Sequence, residues 1–122
     1  MESLRAGTLV IEAEDAPTRG YLVLYWQGKS SDRNPEKVLE PFFLQALTEA
    51  QERKLGVEMH FEKLIHFNSS TIGYLIQLIQ ETRRRGVSLV LIFDHALMWQ
   101  KLSFDALRVF AKDNELLQLR VA

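Results

Sequence analysis

The residues best suited to chemistry are four consecutive polar residues, Asn68-Ser69-Ser70-Thr71, in the middle of the chain. They follow an extended apolar segment and precede a stretch with helical spacing, so we expect them at a helix start. The first backbone N–H groups of a helix lack intrahelical partners, and Asn, Ser and Thr side chains cap such groups. A serine hydroxyl there is also a phosphate acceptor. A phosphoserine adds about −1.5 to −2 charges, which the positive end of the helix dipole tolerates.

Two other interpretations compete with a phosphorylation switch. The first is a purely structural helix cap, which is common and contributes about 1 kcal/mol. The second is catalysis, with Ser69 as the nucleophile and His66 as the base. Catalysis is disfavoured because the stretch is not a Gly-x-Ser-x-Gly elbow and because these side chains, in an extended segment, need not meet. The chain also lacks a Gly-rich phosphate loop, and its histidines lack metal-ligand spacing. We therefore expect a binding protein and not an enzyme, without cofactor or metal.

A strand and a helix must position this turn. Val57 to Phe61 is predicted as the strand before it. After the turn, apolar residues recur at helical spacing from Ile72 to Thr82, and three arginines followed by Gly86 end the helix. Val87 to Phe93 is almost wholly apolar, which favours a central strand buried on both faces of a parallel sheet. The two strands and the helix between them would form a right-handed βαβ unit.

The N-terminal part is predicted to supply two more strands, Thr8 to Ile11 and Tyr21 to Trp26, joined as a β-hairpin. Asn34-Pro35-Glu36 is typical of a helix start, with Asn34 as the cap. Pro41 should kink this helix, or limit its first turn so that the main helix begins near Pro41.

The C-terminal part is predicted to contain one helix and one strand. Asp94 is expected to cap the helix, and Leu116 to Val121 is expected to be the last strand. The element order is then β-β-α-β-α-β-α-β, in a single domain over residues 1–122. The inner apolar stripe of the last helix is expected to comprise Met98, Leu102, Ala106, Val109 and Phe110.

The stretch from Phe67 to Gly73 resembles the phosphorylation loop of STAS domains, the sulfate-transporter and anti-sigma-factor-antagonist family. In that family a strand ends in an Asp-Ser-Ser-Gly turn that opens a helix. This chain has Asn68 in place of the Asp and Thr71 in place of the first Gly. The pattern is more similar to the SiaC-like regulatory phosphoproteins, a STAS-like bacterial family whose phosphoacceptor is the hydroxyl directly after the Asn. The Gly28 to Glu36 loop and Asp94 support the resemblance, which follows the element order over nearly the whole chain.

The resemblance implies a STAS-like α/β fold, in which a mixed sheet of about five strands carries helices mainly on one face. It implies phosphorylation of Ser69, in a switch loop that includes Asn68, Ser70 and Thr71. The expected partners are a cognate serine/threonine kinase, a cognate phosphatase and an effector such as a diguanylate cyclase, which binds in one phospho-state. The alternative is an anti-sigma-factor antagonist of the ordinary STAS type. The candidate partner-binding residues are Arg33, Asn34 and Tyr74.

The sequence leaves several points of this expectation open. It does not identify the effector, the phospho-state that binds it or the oligomeric state, and Ser70 or Thr71 is an alternative acceptor to Ser69. Arg33 is a candidate contact for a phosphate or a partner carboxylate, and the alternative is a solvated loop arginine.

Composition narrows the remaining function classes. The chain has 122 residues, enough for one domain with its own core, and a formal net charge of −1. That charge gives no general attraction to nucleic acid or to an anionic membrane. The absence of cysteine excludes a disulfide framework and a thiolate zinc site. No apolar run reaches the roughly 20 residues of a membrane span, and the first residues lack a signal-peptide core, so a cytoplasmic protein is expected.

Overall fold

The computed structural model describes residues 1–122 as one sheet with three α-helices. The strands are β1 (Leu4–Ala6), β2 (Leu9–Ala16), β3 (Tyr21–Ser30), β4 (Gly56–Phe67), β5 (Leu89–Phe93) and β6 (Leu117–Val121). The α-helices are α1 (Glu36–Arg53), α2 (Ser69–Arg85) and α3 (Met98–Leu107), and short 3₁₀ turns cover Pro17–Arg19 and Arg108–Ala111. No helix combines the length and the apolar character that crossing a membrane requires.

The strand order in the sheet is the order along the chain, from β1 at one edge to β6 at the other. The first three strands pair antiparallel, and the pairs β3–β4, β4–β5 and β5–β6 are parallel because a helix returns the chain each time. A mixed sheet in an α/β fold is therefore confirmed. The sheet has six strands instead of about five, because Leu4–Ala6 pairs with residues 9–11. Three residues are too few to show an alternating pattern.

The three helices contribute to one apolar core on one face of the sheet. Alternate strand residues on this face, such as Leu22, Met59 and Leu91, are fully buried in a core cluster of 27 residues. The opposite face carries Tyr25 and His60, whose rings stack with centroids 4.8 Å apart. All five residues of β5 are buried, as predicted for a central strand.

Strand β4 is longer than predicted, because it continues past Phe61 to Phe67. Its pairing with β5 ends at His60, and its second half pairs with β3 alone up to the Ser30–Phe67 pair. Two consecutive exposed residues, Ile65 and His66, interrupt the alternation of buried and exposed residues. The second half of the strand is therefore hard to recognise from the sequence pattern. The consequence for the site is that β3 and β4 end side by side. The loop after β3 therefore lies next to the turn after β4.

Helix α1 corrects the predicted cap and one of the two alternatives predicted for Pro41, a main helix that begins near that residue. It is a single uninterrupted helix from Glu36 to Arg53, with Pro41 inside it. Pro41 is exposed and lies in the second turn, so its ring points to solvent and only one early helical hydrogen bond is lost. Asn34 does not cap the helix: the N-cap position is Pro35, and the side chain makes no capping bond. Asn34 instead donates its backbone N–H to Asp32 Oδ1, at 3.0 Å.

The predicted inner stripe of α3 is wrong, because its main members lie on the solvent side. Met98, Leu102 and Val109 are 65%, 62% and 66% exposed, Ala106 is also exposed, and Phe110 is half-buried. The face that meets the sheet consists of Gln100, Phe104 and Leu107.

Gln100 explains which face of α3 turns inward. The second half of β4 has no strand on this side, so its carbonyl groups need donors. Gln100 Nε2 donates to the carbonyl oxygens of Phe61, at 2.6 Å, and Leu64, at 3.2 Å. Gln100 Oε1 accepts from the backbone N–H of Asp94, at 2.8 Å. A polar residue is thereby drawn into the core beside Phe104.

Asp94 does not cap α3, contrary to the prediction. Its Oδ1 accepts from the backbone N–H of Ala96, at 2.9 Å, within the preceding turn. The N-cap position is Leu97, which makes no side-chain capping bond. The helix starts later than the aspartate because this turn uses the carboxylate first.

Candidate functional site

The turn between β4 and α2 lies at a helix start, as predicted, and it is built around Asn68, which is the N-cap residue of the helix. Its Oδ1 accepts two hydrogen bonds from Thr71, one from the backbone N–H at 2.9 Å and one from Oγ1 at 2.8 Å. The amide side chain thus satisfies one of the free N–H groups at the helix start.

The same turn is tied to the loop after β3. Asn68 donates its backbone N–H to the carbonyl of Ser30, at 3.0 Å, and its side-chain Nδ2 to the carbonyl of Asp32, at 2.9 Å. The hydroxyl groups of Ser30 and Thr71 are 2.7 Å apart, and both residues are buried. Because Asn68 and Thr71 make all of these bonds, the turn and the loop form one unit.

The three hydroxyl residues of the turn have different surroundings. Ser69 and Ser70 are exposed, and their side chains make no hydrogen bonds. Thr71 is completely buried and hydrogen-bonded, so its hydroxyl is out of reach of an enzyme while α2 is folded. The accessible acceptors in this turn are therefore Ser69 and Ser70.

The start of α2 also favours a negative charge. The backbone N–H groups of Ser69 and Ser70 have no protein acceptor, and they point out of the positive end of a 17-residue helix. A phosphate on either hydroxyl would lie close to these free donors.

Arg33 and Asn34 follow Asp32 in the loop that is attached to Asn68. Both residues are exposed, and the Arg33 guanidinium makes no ion pair or hydrogen bond. The structure therefore brings the loop that carries these two predicted partner contacts to the Ser69 turn, with a free cation on it.

Tyr74, the third predicted partner contact, is placed differently. It lies in the groove between α1 and α2, is only 6% exposed, and packs against Phe43 with ring centroids 6.0 Å apart. Burial, reinforced by the carboxylates of Glu40 and Glu81, raises the pKa of the Tyr74 phenol far above its ordinary range. Tyr74 stays neutral and contributes mainly to packing between the helices.

Sequence reasoning missed Ser30 and Asp32 as parts of this site. Their sequence signal is weak, because both lie in a polar stretch that is typical of a solvent-exposed loop. The same loop also lines a cleft of about 460 Å³, whose opposite wall is the β1–β2 turn with Thr8. Lys29 and Pro35 are among its lining residues.

His66, the residue considered as a base for Ser69, makes no hydrogen bond to it. His66 is exposed, and its ring lies 6.1 Å from that of Trp99. No group of three or more His, Cys, Asp or Glu side chains is arranged to hold a metal ion.

A second polar cluster lies around Glu58, on the face of the sheet opposite to the core, which we call the open face. This carboxylate is 2% exposed, accepts two bonds of 3.3 Å from Arg19, and lies 2.7 Å from His60 Nε2. Burial opposes its ionisation, but the hydrogen bonds from Arg19 and His60 hold the pKa of the Glu58 carboxyl below its ordinary value. His60 Nδ1 also faces Glu62, at 3.1 Å. The cluster is a satisfied hydrogen-bonded network on the open face of the sheet.

No model of a protein family matches the chain, and no curated protein matches it.

Proposed function

We propose that this protein is a bacterial signalling phosphoprotein that acts as a partner-binding switch and is reversibly phosphorylated on Ser69. One observation carries the proposal. Ser69 is an exposed hydroxyl residue at the first position of α2, in a turn whose shape depends on Asn68 and Thr71 and not on Ser69 itself. A serine/threonine kinase adds the phosphate, a cognate phosphatase removes it, and an effector binds in one phospho-state.

Two features favour Ser69 over its neighbours as the acceptor. Thr71 is buried, and its hydroxyl is hydrogen-bonded within the turn. Ser70 is as exposed as Ser69, but in the SiaC-like proteins that this stretch resembles, the acceptor directly follows the Asn. Ser69 has that position next to Asn68.

The switch operates through charge and leaves the fold intact. A phosphate at a helix N-terminus is stabilised by about 0.3–1 kcal/mol, so α2 stays folded. At an interface where the effector supplies no cation, the same charge would be buried without a partner from the effector. Such burial costs several kcal/mol, enough to weaken binding by two or more decades. Unmodified Ser69 is therefore the form that binds the effector.

The proposed effector is a diguanylate cyclase, which would place this cytoplasmic protein in cyclic-di-GMP signalling. This choice follows the resemblance to the SiaC-like family, and an anti-sigma factor is the alternative partner. A pull-down with the Ser69→Ala variant, which stays in the binding form, separates the two partners by the identity of the captured protein.

Phosphorylation is tested with purified protein, the cognate kinase and ATP-Mg²⁺. We expect one phosphate per chain, located on Ser69 by mass spectrometry, and none on the Ser69→Ala variant. Ser70→Ala is the matched control, because Ser70 is equally exposed one residue later, and it should be phosphorylated like the wild type. A phosphate on Ser70, or on a site outside the turn such as Ser103, would contradict the assignment.

Binding is tested by titration calorimetry against the purified cyclase. The wild type, Ser69→Ala and Ser70→Ala should bind with similar affinity, and the phosphorylated protein should bind at least about 100-fold more weakly. Equal affinities of the phosphorylated and unmodified forms would mean that the turn is a helix cap without a switching role.

A further inference from the structure

Helix α3 presents apolar side chains on two opposite faces. Phe104 and Leu107 are buried against the sheet. Three residues on the opposite face of α3 follow the spacing i, i+4 and i+8, which keeps them on one side of the helix. We call the outer stripe these three residues, Met98, Leu102 and Ala106, together with Val109 of the 3₁₀ turn that follows α3; all four are exposed.

The outer faces of the other two helices are polar. The exposed residues of α2 include Gln77, Gln80, Arg83 and Arg84, and those of α1 are mostly charged or amide residues. An outer stripe with three large side chains more than 60% exposed is therefore specific to α3 and the 3₁₀ turn that follows it. Its exposed area is on the order of a few hundred Å², the range in which apolar patches on soluble proteins are often functional.

We propose that the outer stripe binds the outer stripe of a second copy of this chain, which forms a two-fold symmetric dimer. A helix stripe pairs with itself in antiparallel orientation when large residues on one copy meet small ones on the other. About a two-fold axis on the outer surface, midway between Leu102 and Ala106, Leu102 of one copy lies opposite Ala106 of the second. Met98 then lies opposite Val109 of the second copy, so each contact forms twice.

The residues that flank the outer stripe fit the same arrangement. Lys101, Asp105 and Arg108 lie along one side, where Asp105 contacts Lys101 at 3.4 Å and Arg108 at 3.1 Å. Antiparallel pairing brings Lys101 of one copy beside Asp105 of the second, and the converse pair forms by symmetry. On the other side, half-buried Trp99 lies opposite half-buried Phe110 of the second copy. Both flanks are therefore complementary to themselves, one by charge and the other by apolar contact.

The size of the surface sets the strength of the dimer. A standard stable interface buries about 800 Å² per partner, and one outer stripe with its flanks supplies less than that. The dimer therefore belongs to the weak, reversible class, with a dissociation constant in the micromolar range, roughly 1–100 μM. It requires no phosphorylation, so its test is independent of Ser69.

The experiment is sedimentation equilibrium of the purified full chain over about two decades of concentration, centred on the micromolar range. We expect the wild type to shift from monomer to dimer, and Leu102→Glu to stay monomeric or to dimerise at least tenfold more weakly. The matched control is Leu44→Glu, which adds the same charge to an exposed leucine on the outer face of α1 and should dimerise like the wild type. Circular dichroism verifies that all three proteins are folded.

Three results would overturn the dimer. They are a wild type that stays monomeric at the highest concentration, a dimer that Leu102→Glu leaves intact, and equal weakening by Leu102→Glu and Leu44→Glu. A second variant, Ala106→Arg, separates the outer stripe from general effects of a carboxylate. It places a long charged side chain opposite Leu102 of the second copy and should also abolish dimerisation.

Discussion

Helices α2 and α3 both begin just after a parallel strand, at the same end of the sheet, yet their first turns are built differently. Helix α2 starts with Asn68, whose side chain bonds to Thr71 and to the loop after β3. Helix α3 starts at Leu97 without a side-chain cap. The exposed residues at the first start are serines, and those at the second are Leu97 and Met98.

This difference shows two ways to fix a helix that must present a surface. The start of α2 is fixed by hydrogen bonds from Asn68 and Thr71, so its exposed serines are free for modification. The start of α3 is fixed on the side that faces the sheet, by the packing of Phe104 and the bonds of Gln100. Its exposed residues are free for apolar contact. In each helix the residues that hold the structure are distinct from those that the proposed partners would contact.

The largest expected effect lies in the core beneath α3. Phe104→Ala should lower the free energy of unfolding by about 3–5 kcal/mol, because Phe104 is fully buried among Phe61, Phe67 and Phe93. Leu102→Ala, two residues away on the outer stripe, should change it by less than about 0.5 kcal/mol. Urea denaturation below the dimer dissociation constant measures both. Similar losses for the two variants would mean that the outer stripe is packed within one chain.

The next effect tests the hydrogen-bonded start of α2. Asn68→Ala removes the cap, leaves the buried Thr71 hydroxyl with only the longer 3.3 Å bond to the Ser30 carbonyl as acceptor, and detaches Asp32, so stability should fall by about 2 kcal/mol. Asn34→Ala is the matched control, because the Asn34 side chain makes no hydrogen bond, and it should cost less than about 0.5 kcal/mol. Thermal unfolding measures the stability of both variants. Equal losses of stability for Asn68→Ala and Asn34→Ala would contradict the comparison.

A smaller effect depends on pH and comes from the open face of the sheet, away from both helix starts. The folded pKa of Glu58 is below its ordinary value of 4.5, so its stabilising contribution is present above that pH and is lost as the pH falls through the folded pKa. Arg19→Ala removes one cause of the shift. The stability difference between wild type and Arg19→Ala should therefore be larger near pH 7 than near about pH 3. For Arg33→Ala, which loses no ion pair, the difference should not change with pH.

The smallest expected effects are those of the exposed serines. Ser69→Ala and Ser70→Ala should each change the free energy of unfolding by less than about 0.5 kcal/mol, because neither hydroxyl makes a hydrogen bond. Denaturant titration with both variants tests this directly. A loss near 2 kcal/mol for Ser69→Ala would show that Ser69 helps to hold the turn, which would weaken its role as a free acceptor.

The turn could be predicted from the sequence because its determinants are local. Asn68 caps a helix through a residue only three positions later. The bonds from Asp32 and Ser30 could not be predicted, because they join residues 36 and 41 positions apart. They depend on where β3 and β4 end, and the exposed pair Ile65-His66 obscured the end of β4.

Helix α3 shows a second limit of pattern reading. Apolar spacing identifies a face but does not say whether that face meets the sheet, and α3 has two candidate faces. Which face of α3 meets the sheet is determined by carbonyl groups of β4 that require the donors of Gln100. A hydrophobic pattern assigns this residue to the surface. The misplaced cap at Asp94 has a related cause, since its carboxylate bonds two residues ahead, within a turn.

Every strand of the sheet lies beside the strands that precede and follow it along the chain. This strand order has a consequence for synthesis on the ribosome. Each strand, as it emerges, can add to the edge left by the strand before it, and no later strand has to insert between two that are already paired. All the ties of the Asn68 turn come from residues 30 to 71. A nascent chain can therefore complete this turn before β5 emerges from the ribosome, and the growing sheet accepts the C-terminal strands without rearrangement.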